Sequence, residues 1–149
     1  MTITEKKDKL QDELILFENK WIEKLLKWKE NNTKVSLPKT YKEIINLQEL
    51  NITSSNVDYI PHEIGNLINL KKLYVSDNSL NELPFEIRNL HNLTHLWLGN
   101  NNLVQLPKEI VNLNPTSTYK IFETPILRAF INSNTTKPNL PAPHLLNYI

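Results

Sequence analysis

One period governs this chain. From Leu47, Leu70 and Leu93 onward, the same order of apolar residues, proline and glutamate returns every 23 residues. The three copies open as Leu47-Gln-Glu-Leu50-Asn-Ile52, Leu70-Lys-Lys-Leu73-Tyr-Val75 and Leu93-Thr-His-Leu96-Trp-Leu98. Ten positions after each start stands Val57, Leu80 or Leu103. Ile60, Leu83 and Leu106 then precede Pro61, Pro84 and Pro107. Glu63, Glu86 and Glu109 follow, then Ile64, Ile87 and Ile110, and Leu67, Leu90 and Leu113 close the units. Such a period means stacking: each unit can bury only one side, and its neighbours must complete the core.

Each part of the unit has a local physical reading. Alternating apolar residues at the start form a short strand with one inward and one outward face. The asparagine eight positions after the start, Asn78 or Asn101, turns the chain, and its amide can satisfy backbone groups of adjacent turns. Ser55 holds that place in the first copy and marks a looser edge. Leu-Pro fixes an extended corner, and Pro-x-Glu-Ile-x-x-Leu begins a short helical turn.

These residues resemble the leucine-rich repeat family, in the form LxxLxLxxNxLxxLPxEIxxLxN. The 23-residue variety looks like Ras-group or LAP-type repeats, which also occur widely in bacterial proteins. The resemblance covers about residues 37–115 and implies an α/β solenoid. That fold is a short right-handed coil with a parallel concave β-sheet, an N-terminal capping α-helix and an irregular C-terminal cap. The expected divisions are 1–36 for the capping helix, 37–115 for the repeats and 116–149 for the cap and tail. Within the repeats, a half-repeat at 37–46 precedes full repeats at 47–69, 70–92 and 93–115. The half-repeat is read from Leu37-Pro38, Tyr41, Ile44 and Asn46, which matches Asn69 and Asn92. After 115 the pattern decays. Tyr119 and Ile121 fit a last strand, Pro125 to Phe130 a short helix, and 132–143 irregular chain.

Residues 4–30 predict a straight helix. Leu10, Leu14, Phe17, Trp21, Leu25 and Trp28 mark one face, widened by Ile15, Ile22 and Leu26. Lys24 interrupts the heptad, so the stripe suits packing on a domain better than a coiled-coil seam. A solenoid needs terminal caps, and this helix is expected to serve as one. Seven acidic residues and seven lysines between Glu5 and Glu30 make it neutral, which argues against a membrane-surface helix. A partner-binding helix that leaves the repeats is the alternative.

Composition narrows the function. At 149 residues the chain is one domain's worth of material. It has no cysteine, which excludes disulfides, thiolate metal sites and a cysteine nucleophile. A net charge of +1 provides no field for nucleic acid. Only Gly65 and Gly99 are present, too few for a phosphate-binding loop. No apolar run is long enough to span a membrane, and the first residues lead into charge, so no secretory signal and a cytoplasmic location are expected. His91 and His95 share helical spacing, but the repeat puts them on different parts of the unit, so no metal and no cofactor are expected.

The outward strand positions identify the candidate surface. They are Glu49, Asn51 and Thr53, then Lys72, Tyr74 and Ser76, then His95, Trp97 and Gly99, then Thr118, Lys120 and Phe122. Asp77 and Asn100 lie at the strand ends. Tyr74 and Trp97 share one column, and adjacent strands lie about 4.8 Å apart, so their rings should be neighbours. A Trp–Tyr pair rimmed by charge has the composition of a protein-binding hot spot. The expected binding set is Glu49, Asn51, Lys72, Tyr74, Ser76, Asp77, His95, Trp97, Asn100 and Lys120. Cross-strand packing alone is the competing explanation of the rings. Phe85, exposed after its repeat proline, is a second place for a contact. The function expected is non-enzymatic recognition of a protein or peptide by a monomer. A self-associating structural subunit and a bacterial effector engaging a host protein are the alternatives.

Overall fold

The computed structural model describes residues 2–107 and the backbone of one strand at Thr118–Lys120. Helices α1 (Ile3–Glu18), α2 (Trp21–Asn31) and α3 (Tyr41–Ile45) come first. Strands β1 (Glu49–Asn51), β2 (Lys72–Tyr74), β3 (His95–Trp97) and β4 (Thr118–Lys120) follow. Short 3-10 helices at His62–Asn66 and Phe85–Asn89 lie between β1, β2 and β3. The strands pair in parallel, in chain order. Leu50, Leu73, Leu96 and Tyr119 are aligned partners, so the sequence period is also the strand register. The result is an α/β solenoid.

The repeat leucines and isoleucines form one continuous core. Leu50, Leu73 and Leu96 are buried under the strands, and Ile52, Val75 and Leu98 just after them. Ile64 and Ile87 close the core from the 3-10 helices, which stack on each other. Pro61 and Pro84 precede those helices in extended conformation, with ψ of 150° and 141°. There a missing N–H costs nothing.

The asparagines bind the turns together. The Asn78 amide donates to the carbonyls of Ile52, Val75 and Ser76, and its oxygen accepts from the N–H of Ser55 and Val57. Asn101 repeats the arrangement with Val75, Leu98, Gly99 and Leu80. The serine in the first copy has a structural reason: β1 is the sheet edge, and no earlier strand offers carbonyls to an amide at position 55. A second ladder runs from Asn69 to the Ile45 carbonyl and from Asn92 to that of Ile68, both at 2.9 Å. The first of these bonds joins the repeats to α3, at the predicted half-repeat.

The amino-terminal segment departs from the single helix predicted over 4–30. Asn19 ends α1. Its backbone N–H and its amide both donate to the Ile15 carbonyl, and its side-chain oxygen accepts from Trp21 Nε1 at 3.3 Å. The chain restarts as α2 at Trp21, and the predicted stripe is divided. Ile22, Leu25 and Trp28 are buried where α2 meets the His62–Asn66 helix. Leu10, Leu14 and Phe17 are exposed instead, and α1 uses Ile15 on the side facing α3. Trp28 Nε1 donates to the Tyr59 carbonyl at 3.2 Å. Glu63, almost fully buried, meets Lys24 at 3.4 Å and His62 at 2.9 Å. A buried carboxylate is tolerated when it is paired in this way. The expected helix at 125–130 and the irregular chain at 132–143 lie outside the described residues.

Candidate protein-binding face

β1, β2 and β3 are three residues long, with the middle residue inward and the outer two outward. This produces two outward columns. Glu49, Lys72, His95 and Thr118 align in one, and Asn51, Tyr74, Trp97 and Lys120 in the other. The period therefore assembles most of the predicted set on one sheet face. For Thr118 and Lys120 the statement concerns backbone position only.

The second column has its aromatic pair at the centre. The rings of Tyr74 and Trp97 are 4.6 Å apart between centroids and tilted by 59°. Both residues are half-buried, neither sealed inside nor fully solvated. In the first column Lys72 Nζ lies 3.1 Å from the Glu49 carboxylate. Hydrogen bonding to Glu49, reinforced by its charge, holds the Lys72 ammonium above the ordinary lysine range. Thr94 donates its hydroxyl to the Lys71 carbonyl and lies 3.0 Å from His95 Nδ1, which orients the imidazole on β3.

The rim is formed where the strands end. Ser54, Asp77 and Asn100 occupy equivalent places and have φ of 54°, 58° and 52°. This left-handed conformation suits residues with short polar side chains. Asp77 and Asn100 are exposed, and the Asn100 amide donates to Asp77 Oδ1 at 2.7 Å. Exposed Asn51 accepts from the N–H of Thr53 at 3.0 Å.

Ser76 does not belong to the face. It is 5% exposed, and its carbonyl accepts from Ser54 N–H and from the Asn78 amide. Alternation predicts an outward residue here, but the strand has already ended at Tyr74 and Ser76 is bonded into the asparagine ladder. Gly99, the equivalent residue, is buried for the same reason. Phe85 is partly exposed as expected, but Arg88 lies over its ring at 3.6 Å. That cation–π contact reduces the apolar surface available there, and the Phe-x-x-Arg spacing was its readable signal. The Lys24–Glu63–His62 cluster was not legible, because nothing in the repeat pattern shows that α2 covers the first glutamate.

Among the described residues, no helix is long and apolar enough to cross a membrane. No curated protein matches the chain. A family model described as Leucine Rich repeats (2 copies) matches residues 68–114. A solved structure of an LRR protein from Leptospira interrogans is similar at 29% identity and a TM-score of 0.49, covering 63% of this chain and 30% of that one. This chain thus spans less than a third of that protein's length. Leucine-rich repeats are generally protein-interaction modules. The family match falls on residues that carry the 23-residue register, the asparagine ladder and a corner proline, and residues 68–114 of this chain are leucine-rich repeats.

Proposed function

We propose that this chain is a non-enzymatic recognition module of the cytoplasm that binds a protein or peptide on its sheet face, around Tyr74 and Trp97. The observation that carries this reading is the tilted aromatic pair at the centre of the outward columns, half-exposed and 4.6 Å apart. Aromatic residues of this kind supply large contact area at small entropic cost. The Lys72–Glu49 pair on one side and Asp77 with Asn100 on the other add polar groups at the edge. Together they match the pattern of an apolar centre with a polar rim.

The test is parallel affinity capture from cell extract with the native chain and a Tyr74→Ala, Trp97→Ala variant. A protein held by the first and released by the second supports the site. Its affinity should then fall by roughly 2 kcal/mol or more with Trp97→Ala alone. Equal retention by both chains, with circular dichroism showing both folded, would refute the assignment.

A further inference from the structure

The exposed side of α1 is an unpartnered apolar stripe. Ile3, Leu10, Leu14 and Phe17 are 88%, 66%, 52% and 75% exposed. At about 100° per residue these four fall within about 60° of one another on the helix surface. Ile15, the buried residue of α1, lies about 100–160° around the helix from these four, toward α3. Among the described residues nothing packs on the stripe. Four large apolar side chains in one row mark an interaction surface rather than scattered exposure.

The charges beside the stripe identify its occupant. In the first half of the helix the flanks carry Lys6 on one side and Lys7 on the other. In the second half they carry Glu13 on the side of Lys6 and Glu18 on the side of Lys7. A parallel copy of the helix would face lysine with lysine and glutamate with glutamate. A copy running the other way, related by a two-fold axis, keeps each flank on its own side and reverses its order. With Leu10 set against Leu10 and Ile3 against Phe17, Lys6 lies within one residue of the height of Glu13 of the second copy, and the two-fold axis repeats that pair. The apolar rows interdigitate beside these two pairs, as core and flanking positions do in an antiparallel coiled coil.

We infer that α1 pairs antiparallel with α1 of a second copy of this chain, joining two solenoids along the Ile3, Leu10, Leu14 and Phe17 row. The helix is about 24 Å long, so the seam alone is at the small end of specific interfaces and gives a reversible, concentration-dependent dimer. The seam is on the leading helix and the aromatic face is on the sheet, so the two surfaces are independent.

Sedimentation velocity on the full chain tests this. The average mass should rise with concentration from one chain toward two. Leu10→Gln with Leu14→Gln, which keeps helix-forming residues on an exposed face, should raise the dissociation constant by about tenfold or more. Charge reversal is the sharper test. A Lys6→Glu chain and a Glu13→Lys chain should each stay monomeric alone and form a mixed dimer when combined. Four outcomes overturn the inference: a native chain that is monomeric throughout, dimers that survive the leucine changes, charge-reversed chains that still self-associate, or a mixture that forms no dimer. A monomeric native chain would indicate that another segment or another protein covers the stripe.

Discussion

The Asn101 amide donates to the carbonyl of Val75, 26 residues earlier, at 2.9 Å, and so bridges two turns of the solenoid. The same amide holds Leu98 and Gly99 in its own turn, and its oxygen takes the Leu80 N–H. Asn101 is buried, so water cannot replace these partners. Asn101→Ala is expected to cost about 1–3 kcal/mol in urea denaturation. Asn101→Asp should cost more, because a buried carboxylate cannot donate to three carbonyls. An unchanged midpoint for either variant would mean that the ladder does not stabilise the stack.

The legible parts of this fold follow from repetition. Three copies of Leu-x-x-Leu at a constant spacing determine which residues lie side by side, and β1, β2 and β3 take that register. The errors arise where the pattern stops being periodic. Strand alternation extended two residues beyond Tyr74 points Ser76 outward, but the chain there is held by the Asn78 amide. The apolar spacing continues through Asn19, whose capping of the Ile15 carbonyl is a local hydrogen bond with no signature in that spacing. Glu63 and Glu86 have equivalent places in the repeat, yet only Glu63 is fully buried, because α2 packs on the first copy. For the candidate site, the columns were readable from the period. The rim conformation at Ser54, Asp77 and Asn100 was not, because three different residue types share the left-handed backbone there.

Tyr74 and Trp97 should be energetically coupled even without a ligand. Their tilted contact at 4.6 Å is close to the favoured arrangement of aromatic pairs. A double-mutant cycle of Tyr74→Ala and Trp97→Ala, read by urea denaturation, should give a coupling of about 0.5–1.5 kcal/mol. Strict additivity would show that the rings are neighbours without stabilising each other, which strengthens the case for a surface kept for binding.

Gly65 has no room for a side chain. A Cβ built there would stand 2.6 Å from both the Cβ and the carbonyl oxygen of Glu86, in the next 3-10 helix. Its absence lets the His62–Asn66 and Phe85–Asn89 helices approach closely. Gly65→Ala must push the helices apart, and a loss of about 1–3 kcal/mol is expected. Thermal denaturation measures it. An unchanged or raised melting temperature would show that the stack is more compliant than close packing allows.

The capping box of α3 gives a pH-dependent contribution. The Thr40 hydroxyl donates to Glu43 Oε2 at 2.9 Å, its backbone N–H donates to the same oxygen at 3.2 Å, and the Glu43 N–H donates back to the hydroxyl. The Thr40 hydroxyl, followed by the backbone N–H, holds the Glu43 carboxyl below the ordinary glutamate range. A carboxylate with a lowered pKa stabilises the fold above its unfolded value, and that contribution is lost as pH falls through the folded value. Thr40→Val removes the hydroxyl, so its destabilisation should shrink on acidification through this window. Because Glu43 is exposed, salt should shrink the effect too. A destabilisation that is the same at every pH would place the whole effect in the backbone cap.

The rim positions should discriminate between glycine and β-branched residues. Ser54, Asp77 and Asn100 all sit at φ between 52° and 58°, at the same place in successive repeats. Left-handed backbone costs an ordinary L-residue about 1–2 kcal/mol, and glycine nothing comparable. Ser54→Gly is expected to be neutral or stabilising by a few tenths of a kcal/mol, because strain relief opposes the greater freedom of the unfolded chain. Asp77→Val should destabilise by about 1–2 kcal/mol from backbone strain, with the Asn100 bond lost in addition. Asp77→Asn keeps a short polar side chain and should leave stability close to that of the native chain. That variant also separates the two roles of the position: it changes the charge of the rim without disturbing the turn. If it weakens ligand capture while the denaturation midpoint stays fixed, Asp77 contributes to recognition. If Asp77→Val proves as stable as Asp77→Asn, the left-handed turn is not a constraint on this rim.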